Sequence, residues 1–232
     1  MFENNNNGNT LHNHLIQDGF FNNGVDSLSI IDDYHTKGIN LEAIYFFQEA
    51  FRNTGLRKIT IYYQIKQIWP NTAYQINKLA DESRINHNEL SSFLVFILTS
   101  VNSKTGTLKE NLTDIYRKGI SDRTIQSSLH FIDAMSQVSI EVNYQPYNSL
   151  NFKPPFHGRY WINQNKGYIV DGSLDTYTKG KIFAQKMDEE NFNIISSLMS
   201  NDIRRSTGSY DVLTGQRIKE IHNLLTRYLL RR

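Results

Sequence analysis

The sequence predicts a mainly helical fold with one small β-hairpin. Three observations predict it. Apolar residues recur at spacings of three and four over several stretches between residues 41 and 135, the period of helices that bury one face. One alternating run follows, in which Val138, Ile140, Val142 and Tyr144 interleave with Ser139, Glu141 and Asn143, the period of a half-buried strand. Residues 159–163 and 167–170 then flank Gln164, Asn165 and Lys166 as the two arms of a hairpin flank its turn.

Composition sets the outer limits. The chain has 232 residues, 39% hydrophobic and 12% aromatic, enough for a sizeable core. It has no Cys, so disulfides and thiolate zinc sites are excluded. The formal net charge is only +2, so binding to a polyanion must come from a local basic patch. The N-terminus lacks a basic segment followed by an apolar one, and the strongest apolar run, 93–98, is far too short to span a bilayer. The expectation is a protein that is not secreted and not in a membrane, residing in the cytoplasm, or in the nucleus of a eukaryote. No cofactor is expected. His12 and His14 lack clustered partners, so no metal site is expected either.

Residues 1–25 are rich in Asn and Gly and read as a disordered tail. Residues 26–86 form an N-terminal helical region. There Asn40 can cap a helix over 41–54 that closes at Gly55, with Ile44, Phe47 and Phe51 on its buried face. Residues 59–69 suit a helix by spacing and a strand by their β-branched and aromatic content, and Pro70 ends either one. From 89 to 101 the apolar residues, Leu90 and Phe93 to Leu98 among them, go most of the way round a helix, which places that helix inside.

Gly119 can take the left-handed conformation that ends one helix, and Ser121 can cap the next. Ile125, Leu129 and Ile132 give that second helix, 121–135, its buried stripe. Ser121, Arg123, Thr124, Gln126, Ser127 and His130 fall on another face. Arg and Gln carry the paired donors and acceptors that match guanine and adenine edges in the major groove. Residues 76–94, with Leu79, Ala80, Ile85, Leu90 and Phe93, are similar to the helix-turn-helix of phage-repressor-like regulators, with Arg84 where that family usually has Gly. Residues 112–126 resemble the helix-turn-helix of some transposases and recombinases through Leu112, Ile115, Tyr116, Gly119, Ile120, Ser121 and Ile125. Over 89–144 the order of apolar helix, NSKTG loop, helix, Gly-Ile-Ser turn, helix and strand resembles the winged-helix domains of phage and plasmid replication proteins.

That resemblance implies a winged helix-turn-helix core at 87–172, flanked by a C-terminal helical region at 173–232. It implies duplex DNA as partner, with 121–135 in the major groove, Arg123 and Gln126 reading bases, and Arg159 and Lys166 on the hairpin touching phosphates. Replication initiation or regulation, including transcription, for a plasmid or other mobile element is the role it implies. The last helix, with Ile218, Ile221, Leu225, Tyr228 and Leu229 on one face, can pack internally or form a homodimer. The competing class is a non-catalytic protein-interaction module on the same scaffold. Catalysis finds little support: no GxxxxGKS/T loop and no Gly-x-Ser-x-Gly elbow are present. Arg123 and His130 do resemble the Arg-x(4–6)-His motif of the HEPN ribonucleases, which implies an RNA-cleaving alternative. The acidic and basic residues at 171–190 read as caps and solvated charges.

Overall fold

The chain was analysed as a computed structural model, which describes residues 2–3, 15–21, 24–32, 39, 41–65, 72–98, 106–119, 125–147, 159–171, 183–200 and 210–230. In chain order the elements are β1 (Phe2–Glu3), β2 (Ser27–Ile31), α1 (Leu41–Arg52), β3 (Lys58–Gln64), α2 (Thr72–Ser83), α3 (His87–Leu98), α4 (Leu108–Arg117), α5 (Gln126–Gln137), β4 (Glu141–Tyr147), β5 (Arg159–Ile162), β6 (Gly167–Asp171), β7 (Phe183–Lys186), α6 (Glu189–Leu198), β8 (Leu213–Thr214) and α7 (Gly215–Leu229).

The strands form one mixed sheet in the order β1-β7-β6-β5-β2-β3-β4-β8. The fold is therefore α/β, which corrects the expectation of a mainly α protein with a small hairpin and a winged helix-turn-helix core. β2, β3 and β4 are parallel, Ile30 lying beside Ile61 and Ile61 beside Tyr144. Parallel neighbours need crossovers. α1 makes the first, and α2 to α5 together make the second. The hairpin is real: Trp161 pairs with Tyr168 across β5 and β6. It is no wing, because β5 also pairs with β2 and β6 with β7, so both arms lie inside the sheet. Periodicity located these strands correctly; it carries no information on which strands sit beside them.

Several local readings hold. Residues 58–64 are a strand, which resolves the ambiguity at 59–69 as far as the described residues go. α3 buries Leu90 and Phe93 to Ile97, as its all-round apolar surface requires. Gly119 has φ 71°, the left-handed conformation expected at the end of α4. Arg84 takes φ 58° between α2 and α3, so that turn forms without glycine. Asp188 caps α6 by accepting from Asn191 N–H at 2.8 Å, and Thr214 caps α7 by accepting from Arg217 N–H at 3.2 Å.

One sheet face carries the main core. Ile30, Ile61, Tyr144, Trp161 and Val170 point into it, against α1, α3, α5 and α7. Trp161 lies 5.4 Å from Phe47 and 5.9 Å from Phe46, ring centre to ring centre. α7 spends its apolar stripe here, with Ile218, Ile221, Leu225 and Leu229 buried against its own chain. Its cations are used too. Arg217 donates from Nε and Nη2 to the two carboxylate oxygens of Glu89, at 2.9 and 2.7 Å, and from Nη1 to Glu220 at 2.8 Å. Lys219 pairs with Asp133 at 2.6 Å. Bidentate arginine–carboxylate geometry is the strong form of an ion pair, but these side chains are about one-quarter to one-third exposed. Arg217→Met is therefore expected to cost about 1–2 kcal/mol in urea unfolding, against no measurable change for Arg227→Met.

The described residues within the stretch expected to be a disordered tail contribute to the core and the sheet instead. Leu15, Phe20 and Phe21 are buried, and Phe2–Glu3 pairs with β7. The single sheet also draws strands from every one of the four regions read from the sequence. Asp18 ties the N-terminal stretch down. It accepts from Lys186 Nζ at 2.9 Å and Tyr168 Oη at 2.8 Å, and pairs with Lys166 at 3.3 Å. Burial works to raise its pKa, but these partners together hold the carboxyl below the ordinary carboxylate range. The stability this contributes is present above the unfolded-state pKa of about 3.9 and is lost as pH falls through the lower folded-state value. Asp18→Asn should thus be less stable than wild type at neutral pH. Its unfolding free energy should converge on that of wild type as the pH is taken below the folded-state pKa of Asp18.

Candidate functional site

Open sheets that contain parallel strands place ligands outside the carboxyl ends of those strands, where the strand order reverses. Here the chain runs outward from β2 through β3 to β4, then returns to lay β5 on the other side of β2. The carboxyl end of β2 and the start of β5 meet at that reversal, since Ile31 pairs with Tyr160.

The next residues along are Asp32 and Arg159. Asp32 is 1% exposed, and its N–H donates to Tyr62 C=O at 3.1 Å, which continues the ladder with β3 for one residue. By the alternation of the strands Asp32 and Arg159 share the helix-covered face with Ile30 and Trp161. Arg159 Nε stands 3.8 Å from Asp32 Oδ1, and its side chain is 24% exposed. A carboxylate taken out of water needs compensation, and the guanidinium supplies it. The same contact holds Arg159 at the edge of the sheet, with its side chain partly exposed.

The residues expected to contact DNA do not gather around this point. Ser121, Arg123 and Thr124 lie outside the described residues. Gln126 and Ser127 are half-buried at the start of α5 and His130 is exposed on it, while Asp133 on the same helix holds Lys219. α5 packs on α1, α7 and β4. Lys166 sits in the turn between β5 and β6, where its Nζ donates to Asp18. Arg159 is at the far end of that hairpin, paired with Val170. The two residues therefore cannot share one wing tip. The helical ribonuclease reading also loses its setting, because α4 and α5 belong to a crossover between two sheet strands rather than to a free-standing bundle.

Sequence reading missed Asp32. The signal available was an apolar strand, residues 27–31, running into Asp32-Asp33, a carboxylate pair at a strand end. Among the described residues no group of three or more His, Asp or Glu side chains is placed to hold a metal ion. No helix among them is long and apolar enough to cross a membrane. The chain matches no protein-family model and no curated protein.

Proposed function

We propose that the chain binds nucleic acid at the carboxyl edge of its parallel strands, with Arg159 meeting a backbone phosphate. The observation that supports this reading is the ion pair between Arg159 and the buried Asp32. An arginine held against a buried carboxylate loses little further freedom on binding, and a planar guanidinium matches the geometry of phosphate oxygens. Duplex DNA is the first partner to test, since it presents the densest regular array of backbone phosphates. A net charge of +2 limits the contact to few phosphates, so binding should be weak and only moderately salt-dependent.

The test is a fluorescence anisotropy titration on random-sequence duplex and single-stranded DNA over a range of salt. Log affinity should fall with log salt by about 0.9 for each phosphate neutralised on duplex. Comparing Arg159→Ala with Gln126→Ala plus His130→Ala tells the sheet edge from α5. No binding to either DNA at low salt sinks the reading.

A second reading is hydrolysis of the bound phosphodiester. It is favoured by one fact of sequence: His157 stands two residues before Arg159. Water would attack the phosphorus and the sugar oxygen would leave, with an imidazole to move protons and a guanidinium to stabilise the phosphoryl charge. A 5′-labelled oligonucleotide cleaved by wild type but not by His157→Ala supports it, and an oligonucleotide left intact by wild type removes it.

A further inference from the structure

The second face of the sheet carries a separate feature. Strands of a parallel sheet usually read as continuous apolar runs, because both faces are covered. β2, β3 and β4 alternate instead. On this face they set Ser27, Lys58 and Glu141 in one row, Ser29, Thr60 and Asn143 in the next, and Ile31, Tyr62 and Gln145 in the third. α6 covers only the apolar part, packing Ile195 and Met199 on Ile31, Tyr160 and Ile162. Between α6 and the polar rows lies a half-open cavity of about 560 Å³, within the 300–1,000 Å³ typical of small-molecule sites.

Ser196 of α6 lines that cavity, and its Oγ is buried with no hydrogen-bond partner among the described residues. A buried hydroxyl left unpaired is unfavourable, and a ligand bearing donors and acceptors would relieve it. The rest of the described lining is mostly neutral hydroxyls and amides, with the rings of Tyr62 and Phe192 and the apolar side chains of Ile162, Met199 and Val212. Lys58, the one cation among the described lining residues, faces Glu141 at 4.0 Å. Such a wall is poorly suited to an anion and too polar for a lipid. It matches a molecule that presents many hydroxyls and a C–H face that can lie on an aromatic ring.

We propose that this cavity binds a neutral sugar of about disaccharide size, held by Ser29, Thr60, Asn143, Gln145 and Ser196. The site lies on the opposite sheet face from Asp32 and Arg159, and neither reading depends on the other. The experiment is two-dimensional ¹⁵N–¹H NMR of the full chain titrated with maltose, cellobiose, lactose and sucrose, with adenosine as a hydroxyl-bearing non-sugar. Shifts from at least one sugar, centred on the amides of residues 29, 60, 143 and 196, are expected. Thr60→Val and Ser196→Ala should each weaken that binding by about three- to tenfold, the worth of one neutral hydrogen bond. Should Thr60→Val fail to fold, Ser196→Ala carries the comparison, since alanine favours the helix. The proposal is overturned if no sugar shifts these amides, if the shifts centre elsewhere, if adenosine alone binds, or if Ser196→Ala binds as wild type does.

Discussion

Arg159→Ala is expected to lower affinity for random duplex DNA by about tenfold or more at low salt. The variant removes a charge-assisted contact of about 1.5–3 kcal/mol. It should also reduce the slope of log affinity against log salt by about 0.9, the loss of one phosphate neutralised. The same substitution also affects stability, because it removes the guanidinium that faces Asp32, which is 1% exposed. Removing one partner of a buried pair costs about 3–5 kcal/mol. Arg159 is partly open to solvent, which puts the cost here toward or below the low end. Asp32→Asn with Arg159→Met removes both charges together and should recover much of the stability while leaving DNA affinity low. That separation of affinity from folding is the result to look for. If the double variant binds DNA as wild type does, Arg159 is a structural arginine and the edge is not the binding surface.

Trp161→Ala is expected to be the most damaging single change outside the candidate sites. Trp161 is 1% exposed on β5 and packs its ring against Phe46 and Phe47 of α1. Deleting so large a buried side chain costs about 3–5 kcal/mol, a large share of the ~5–15 kcal/mol that holds a typical domain folded. Trp161→Phe should keep most of that stability, since it leaves an apolar ring in place. Urea unfolding followed by circular dichroism reads the difference. The same experiment discriminates between architectures. A tryptophan on a solvent-exposed wing would lose roughly 0.5 kcal/mol or less, so a loss that small would contradict a hairpin at the centre of the sheet.

Much of the chain's local structure was legible before any tertiary information. Three- and four-residue spacing located α1, α3 and α5, alternation located β4, and the turn at 164–166 located the β5–β6 hairpin. The role of Gly119 was legible because a left-handed turn at a helix end depends on a few neighbouring residues. The pairing of strands far apart in sequence was not legible. β2 at residue 30 meets β3 at residue 61 on one side and β5 at residue 161 on the other. Nothing in residues 159–170 distinguishes a wing from two central strands, because the alternation of a strand reports one buried face and is silent on its lateral partners.

The candidate sites divide in the same way. Arg159 was legible as a phosphate-contacting residue type, whereas its partner Asp32 lies 127 positions earlier in the chain. Lys166 looked equally available, and only the tertiary structure showed its ammonium group committed to Asp18. Of the polar rows at Ser29, Thr60 and Asn143, only Asn143 was read on a strand; Ser29 lay in a region expected to be helical and Thr60 in a stretch left open between helix and strand. Their meeting in one cavity under α6 depends on parallel register. By itself the sequence determined α1, α3, α5, β4 and the β5–β6 hairpin and which of their faces are apolar, because those follow from backbone geometry over a few residues. The tertiary structure alone decided that these segments build one mixed sheet, which charges cancel and which stay at an edge, because those depend on contacts between residues far apart in the chain.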